Sequence, residues 1–494
     1  MNIETKLKAL KFETRPFIGG QFKNPRSGKT FTTLNPATGQ ALAEVAECDQ
    51  LDVDDAVTSA RSAFESGRWS KQSPKDRKRV LLKLADLVEK NAEELAIIEA
   101  LDNGKPFADA LGADLPDAVE TIRWHAETAD KIYGQVSPAP PGVVSMVVRE
   151  PVGVVGAVIP WNFPLPITAM KLAPALAAGN SLIIKPAEQT SLTALKLAAL
   201  AAEAGVPEGV LSVVPGFGET VGQAIGRHMG IDCVSFTGST EVGRYFLKYT
   251  AESNLKKITL ELGGKSPVIV MDDIADIQAA VDQIAVGILF SQGENCSAGS
   301  RLIVHKAIKE RLLEVLLVTF ANWKVGDPFA PDTKIGALIE EKHMNRILGF
   351  VESGRTQGAK ILMGGERILA ETGGYFVGPT VFDHVKNSMT IAQEEIFGPV
   401  LSVITVANEE EAIFVANETD YGLAASVHTD NLHVAHRMAS AIRAGTVSVN
   451  CFSEGDNAVP FGGFKQSGFG GREKGLFAHE QYTEPKTIWI QTRQ

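Results

Sequence analysis

Cys296 lies in Ser291-Gln292-Gly293-Glu294-Asn295-Cys296-Ser297-Ala298-Gly299, a run of small and polar residues around one thiol. Glu261 lies 35 positions earlier, in Leu260-Glu261-Leu262-Gly263-Gly264-Lys265. A thiolate attacks a carbonyl carbon, and a placed carboxylate activates a thiol or a water. A lone cysteine is more often a small buried apolar residue than a nucleophile. Here Gly293 and Gly299 bracket it, which suits backbone that must approach a ligand closely. A third group is Asn162, between Pro160 and Pro164. Such an Asn is ordinarily a turn residue. Its amide is nevertheless a donor at any pH, which an oxyanion requires.

FSQGENCSAGSR and LELGGKSP resemble the two signature segments of the aldehyde dehydrogenase superfamily, and Pro160-Trp161-Asn162-Phe163-Pro164 resembles a third. Phe236-Thr237-Gly238-Ser239-Thr240-Glu241-Val242-Gly243 and Glu394-Glu395-Ile396-Phe397-Gly398-Pro399 resemble two more, and the match runs in order from about Phe17 to Ile490. The resemblance implies NAD-dependent oxidation of an aldehyde to the acid, with NADP a weaker substitute. Cys296 would form a thiohemiacetal, its oxygen held by Asn162 and the Cys296 N–H. Hydride transfer to the nicotinamide would leave a thioester, and Glu261 would activate the water that releases the acid. Two positions depart from the family pattern: Glu294 stands where Gln is common, and Ser291 where Asn is. Glu294 brings a like charge toward the thiolate unless it points away.

The strict GxGxxG fingerprint is absent, since Gly216-Phe217-Gly218-Glu219-Thr220-Val221-Gly222 has one residue too many. Gly218 is therefore a weak phosphate-binding candidate. Thr237, Gly238 and Ser239 are stronger, because they follow the strand-like DCVSF and open a helix-like stretch, where pyrophosphate binds well. An ordinary capped helix accounts for them equally well. Lys185 and Glu188 follow the strand-like SLIIK, at the end of a strand where doubly wound sheets take ligands. By resemblance both contact ribose hydroxyls. The Glu188 carboxylate repels a 2′-phosphate, which favours NAD. The resemblance adds Ile159, Trp161, Phe236, Val242 and Leu262 to the cofactor site, with Glu395 on the nicotinamide ribose and Phe397 beside the ring.

Substrate contacts are expected from Phe163, Phe290 and Phe461, with Trp124 as a further wall and Met170 giving a roomier pocket. Asp114 and Asp117, three apart in an expected helix, share one face in that reading and stand at the tunnel mouth. Asp456, in Glu454-Gly455-Asp456, is the expected acid of the tunnel loop. The stretches ADLPDAVETIRWHAE and GDNAVPFGGFKQSGFGGREKG look most like the branch acting on ω-amino and γ-glutamylamino aldehydes of polyamine catabolism. An acidic mouth steers a cationic aldehyde. Surface solvation is the bland alternative for these carboxylates.

These groups need rigid elements to hold them. VGVVGAVI (152–159), SLIIK (181–185), VLSVV (210–214), DCVSF (232–236) and SPVIVM (266–271) read as short buried strands, with helical patterns such as ALKLAALAAEAG between them. LIVH (302–305), VLSVITV (400–406) and TVSVN (446–450) form a second series. Residues 51–70 and 75–104 read as helices. The fold class is α/β: two doubly wound domains, one Rossmann-like for the cofactor and one catalytic, with a small β oligomerisation arm. The expected division is 1–133 and 150–263 for the cofactor domain, 264–475 for the catalytic domain, and 134–149 with 476–494 for the arm. The resemblance implies that the tail joins the Val143 segment and contacts another subunit, in a homodimer or homotetramer.

The chain has 494 residues, too many for one ordinary core. Its four cysteines, Cys48, Cys233, Cys296 and Cys451, are far apart, which argues against a disulfide framework and a metal site and fits the cytoplasm. The net charge of −11 disfavours nucleic acid and anionic membrane surfaces as partners. A small-molecule aldehyde is the expected partner. A broad-specificity aliphatic or aromatic aldehyde dehydrogenase is the alternative. A thiol ester hydrolase leaves the cofactor segments unexplained, and a CoA-acylating enzyme leaves Glu261 without a task.

Overall fold

The structure, a computed structural model, describes residues 3–492. Residues 1–2 and 493–494, the extremities of the expected cofactor domain and arm, lie outside the described residues.

Five parallel strands form the centre of the first sheet, in the order Leu211–Val213, Ser181–Lys185, Val154–Val158, Cys233–Thr237, Lys257–Glu261. VVGAV and SLIIK are buried at every position, as strands covered on both faces must be. The chain starts at the middle strand, winds outward one way, then returns and winds the other. The reversal falls between Val154–Val158 and Cys233–Thr237, so the loops leaving their carboxyl ends part and open a crevice. Those loops carry Asn162 and Gly238. Phe17–Ile18 pairs antiparallel at one side, and Gln21–Phe22 forms the edge beyond it. Gly468–Phe469, expected within the catalytic stretch, pairs antiparallel with Lys257–Glu261 at the other edge.

The second sheet runs Lys360–Met363, Thr380–Asp383, Val400–Val406, Arg301–His305, Pro267–Val270, Ala424–His428, Thr446–Val449, parallel except for the first strand. The sequence reading omits Thr380–Asp383 and Ala424–His428. AASVH is alanine-rich at its start and lacks the β-branched density that marks a strand. In the arm, Thr483–Gln491 pairs antiparallel with Val143–Pro151, Trp489 opposite Ser145, and Gln135–Ser137 lies on the far side.

The helix expected over 75–104 is two helices, Pro74–Lys90 and Ala92–Asn103, because Asn91 leaves helical geometry and its amide bonds back to the Leu87 carbonyl at 2.7 Å. Gly104 ends the second in a left-handed cap at φ 91°. The helix expected over 51–70 stops at Glu65. One layer packs Leu81, Leu84, Ile122, Leu172 and Leu195 against the first sheet, while Val53, Val57, Ile225 and Phe246 cover its other face. Trp69 locks the first layer, donating its Nε1–H to the Leu176 carbonyl at 2.9 Å.

Candidate active site

The crevice opens into a cavity of about 770 Å³ whose wall includes Asn162, Glu261, Cys296, Thr237, Gly238 and Glu395. Cys296 follows three successive left-handed residues, Ser291 (φ 51°), Gln292 (φ 59°) and Gly293 (φ 72°). Two of these are not glycine, so the turn stores strain beside the thiol. It is held from outside. Gln292 Oε1 accepts from Gly336 N at 3.3 Å, and Glu294 Oε1 from Ile339 N at 3.0 Å. A Cβ at Gly293 would meet the Gly398 backbone at 2.4 Å.

Glu294 points away from the thiol. Its side chain is fully buried, and burial pushes its carboxyl well above the usual range. His343 Nε2, 3.6 Å away, donates to the Phe397 carbonyl at 2.7 Å, and burial lowers His343 to about 4. A neutral acid beside a neutral imidazole is the consistent state. The like-charge conflict expected from this departure therefore does not arise through Glu294.

The Asn162 loop is gripped from the second helix of the broken pair. Asn103 Nδ2 donates to the Trp161 carbonyl at 2.8 Å, Glu99 accepts from Leu165 N at 3.2 Å, and the Lys105 ammonium lies 4.3 Å from the Phe163 ring centre. Asn162 Nδ2 in turn donates to the Glu294 carbonyl at 2.9 Å.

Glu261 ends the strand Lys257–Glu261. Its Oε2 is buried without a hydrogen-bond partner. Burial first, and then the charge of Glu473, raise its carboxyl well above the usual range. Glu473 pairs with Lys171 at 2.5 Å, both fully buried. The glycines after Glu261 are steric necessities. A Cβ at Gly264 would lie 2.4 Å from the Cys296 carbonyl oxygen, and one at Gly263 would lie 2.1 Å from Glu395 Oε2. Burial raises the Cys296 thiol well above its usual value, and Glu454, Glu395 and Glu261 add to that in this order.

The cofactor candidates gather at the strand ends. Ser239 caps Thr240–Ala251, its Oγ accepting from Val242 N at 3.3 Å. Thr237 Oγ1 is buried without a partner beside that helix start. Gly238 N donates to the Glu261 carbonyl at 3.0 Å, and the Phe236 ring would lie 2.5 Å from a Cβ at Gly238. An orphaned hydroxyl, a glycine approach and a helix N-terminus fit a dinucleotide phosphate. Lys185 and Glu188 pair at 2.7 Å, and Ile159 N donates to the Lys185 carbonyl at 3.1 Å. Trp161, Leu262, Glu395 and Phe397 line the cavity. Phe397, at φ 62°, packs its ring 5.2 Å from Trp161, and Glu395 Oε1 accepts from Gly264 N at 2.9 Å. Ile159 and Phe236 are buried behind the wall. Gly218 is exposed at the start of a π-helical turn with open space at its Cβ, so nothing there requires glycine or faces the cavity.

At the substrate end, Phe163 and Phe290 stack at 6.3 Å, and Phe461 and Met170 complete an apolar wall. Three expectations change. Asp114 is no free mouth acid: it is buried and paired with Lys105, with Glu99 3.7 Å from the same ammonium. It closes a π-helical turn, Ala110–Asp114, but the chain from there into the helix Leu115–Thr128 is α-helical, so Asp114 and Asp117 still border the same cavity. Asp117 does reach the cavity, with Lys474 at 3.9 Å. Asp456 is exposed and accepts from Ala458 N at 2.8 Å, a local turn away from the wall. Glu454, two residues earlier, takes its place and accepts from Ser297 Oγ. Trp124 packs on His125 and His479 instead of lining the cavity. Glu454, Lys474, His343 and the Lys171–Glu473 pair are the residues that sequence reasoning left out. Only Glu454 had a signal, its acid in the same loop. Among the described residues no cluster of three or more His, Cys, Asp or Glu could hold a metal ion, and no helix is long and apolar enough to cross a membrane.

Residues 22–488 match the model of the aldehyde dehydrogenase family. Among curated proteins, an aminoacetaldehyde dehydrogenase of Pseudomonas aeruginosa is 51% identical over 476 residues, 96% of this chain and 95% of the relative. A solved indole-3-acetaldehyde dehydrogenase in complex with NAD+ superposes with a TM-score of 0.97 at 51% identity, covering 99% of this chain and 98% of that one. A γ-glutamyl-γ-aminobutyraldehyde dehydrogenase from Burkholderia cenocepacia gives a TM-score of 0.97 at 48% identity, with 99% of each chain covered.

Proposed function

The chain belongs to the aldehyde dehydrogenase family, and we propose that it oxidises an ω-amino or γ-glutamylamino aldehyde of polyamine catabolism to the carboxylic acid, using NAD in preference to NADP. The observation that carries the chemistry is the convergence of Cys296, Asn162 and Glu261 on one cavity with the helix start at Thr237–Ser239.

Cys296 adds as thiolate to the aldehyde carbon, and the carbonyl oxygen becomes an alkoxide. The second N–H of Asn162 and the main-chain N–H of Cys296 are the donors for it. Bound NAD would supply hydride-acceptor chemistry beside the carbon held on Cys296. Residues 237–239 would hold its phosphates, Lys185 and Glu188 its adenosine ribose, and Glu395 and Phe397 its nicotinamide end. Glu261 then takes a proton from the water that attacks the thioester, and Cys296 departs as thiolate. Its raised pKa makes Glu261 a stronger base than an exposed carboxylate.

The amino-aldehyde reading is supported by Glu454 and Asp117 on the substrate wall and by the aminoacetaldehyde and γ-glutamylaminobutyraldehyde relatives. The apolar wall of Phe163, Phe290, Phe461 and Met170, with the indole-3-acetaldehyde relative, favours a second reading: a broad aliphatic and aromatic range. NADH formation with ω-amino, γ-glutamylamino, aliphatic and aromatic aldehydes separates the two by kcat/KM. Cys296→Ala should remove turnover while NAD still binds. We further infer a cytoplasmic homodimer or homotetramer. The four cysteines as free thiols and the exposed apolar Val136, Trp489 and Ile490 of the arm support that reading.

A further inference from the structure

Glu454 touches the nucleophile's own loop. Its carboxylate accepts the hydroxyl of Ser297, the residue after Cys296, and Glu454 and Cys296 open onto the same cavity. The other charged groups on that wall include Glu241, which accepts from the Tyr245 hydroxyl at 3.4 Å. Asp114 is paired with Lys105, and Asp117 faces Lys474. Lys342, His343 and Arg346 line the wall beside Glu395 and Phe397, with His343 held neutral and Arg346 donating to the Glu395 and Ile396 carbonyls. Glu261 is a buried acid raised well above the usual range, and burial brings Glu395 to about 7. Glu454, half-buried on its loop, has no cationic partner among the described residues. It is also the largest charge acting on the Cys296 thiol.

We propose that Glu454 is a charge brake on the nucleophile: unpaired, it disfavours the Cys296 thiolate, and an ammonium group on the incoming aldehyde releases it by pairing with Glu454. This rests on the amino-aldehyde reading above. A like charge nearby opposes thiolate formation, and neutralising it removes the opposition. The thiol's proton then passes to solvent through the open cavity. The thiol rests protonated, and so less open to oxidation, until a substrate of the right charge arrives. A neutral aldehyde of the same length can bind but meets fewer thiolates, so discrimination falls on kcat as well as on KM.

The test follows the thiol directly. Iodoacetamide alkylation of Cys296 is measured by peptide mass against pH, for wild type, Glu454→Gln and Glu454→Asp, in propylammonium chloride or potassium chloride of equal ionic strength. Glu454→Gln should react about tenfold faster than wild type near neutral pH, the effect of one unit in thiol pKa. Propylammonium should accelerate wild type and Glu454→Asp, and leave Glu454→Gln unchanged. Identical profiles for wild type and Glu454→Gln overturn the proposal, as does an amine that slows all three alike. Should Glu454→Gln fail to fold, the amine response of wild type decides alone: acceleration supports the brake, and none overturns it. The wild-type kcat/KM ratio of 3-aminopropanal to propanal tests the substrate reading separately. A ratio at or below one removes that reading, while the Glu454→Gln profile still decides whether Glu454 restrains the thiol.

Discussion

The side chain of Asn162 is hydrogen-bonded to the main chain of Glu294: its amide donates at 2.9 Å to the carbonyl two residues before Cys296. One N–H is thereby committed to holding the nucleophile's loop, and the other remains for substrate. Asn162→Ala should lower kcat on the order of 10²–10³, the usual loss for one oxyanion donor. Asn162→Asp should fare no better, because a carboxylate faces the Glu294 carbonyl and the developing alkoxide. Turnover within tenfold of wild type for the alanine variant would remove Asn162 from this role.

Glu261→Gln should give one burst of NADH and then stall, since thioester hydrolysis needs the base and the preceding steps do not. In wild type the base works only when ionised. Its pKa is raised, so hydrolysis is lost as pH falls through that raised value, while the burst persists. Rapid-mixing absorbance shows both phases. A variant with no burst would place Glu261 earlier, in activating Cys296.

Glu294→Gln offers a stability test. Burial raises the native carboxyl well above the usual carboxylate range. Its stabilising contribution is complete below the unfolded pKa and is lost as pH rises toward the folded one. Each pH unit in that window costs roughly 1.4 kcal/mol. The glutamine variant keeps the acceptor for Ile339 N and does not titrate. It should match wild type near pH 4 and melt at progressively higher temperature than wild type above about pH 5. A difference in Tm that does not grow with pH would contradict the assignment of Glu294 as a buried neutral acid.

Glu188→Gln should narrow the preference for NAD over NADP. Lys185 is now engaged at 2.7 Å by Glu188, so the substitution removes a repelling charge and frees an attracting one. The ratio of kcat/KM values should fall about threefold to tenfold. An unchanged ratio would show that the pair lies away from the ribose.

Asp456→Asn should leave KM for an ω-amino aldehyde almost unchanged, because Asp456 bonds only within its own turn. Glu454→Gln should raise it several-fold, the scale of one partly screened charge pair, and reduce its dependence on salt. For a neutral aldehyde KM should be the same in both variants, while kcat should rise only in Glu454→Gln as the thiol is released. The reverse pattern would return the substrate contact to Asp456.

That Cys296, Glu261 and Asn162 share one cavity was legible in sequence from the short segments that carry them. Gly263 and Gly264 must be glycine for Glu395 and the Cys296 carbonyl to close on that strand end, and prolines flank Asn162. The strands of the first sheet were legible because burial on both faces leaves continuous apolar runs. Asp456 was misread because a loop has no period to say which of two acids faces inward. Asp114 was misread as a free acid because its partner Lys105 lies outside the helix whose spacing was read, and no period marks such a pair. Lys171 and Glu473 were invisible as a pair, since 302 positions separate them.

That separation bears on how the molecule is made. Lys171 lies on a helix buried along its whole length, and Glu473, with which it pairs, arrives 302 residues later. At a synthesis rate of about 5–20 residues per second, the ammonium waits roughly 15–60 s for Glu473 to follow it from the ribosome. An unpaired charge there is costly, so the helix Pro164–Ala177 cannot settle fully while the chain is incomplete. The edge strand Gly468–Phe469 and the arm strand Thr483–Gln491 arrive equally late. The pocket is therefore finished only once these segments have emerged, and a chain truncated before Glu473 would keep most of its secondary structure yet never assemble the surroundings of Glu261.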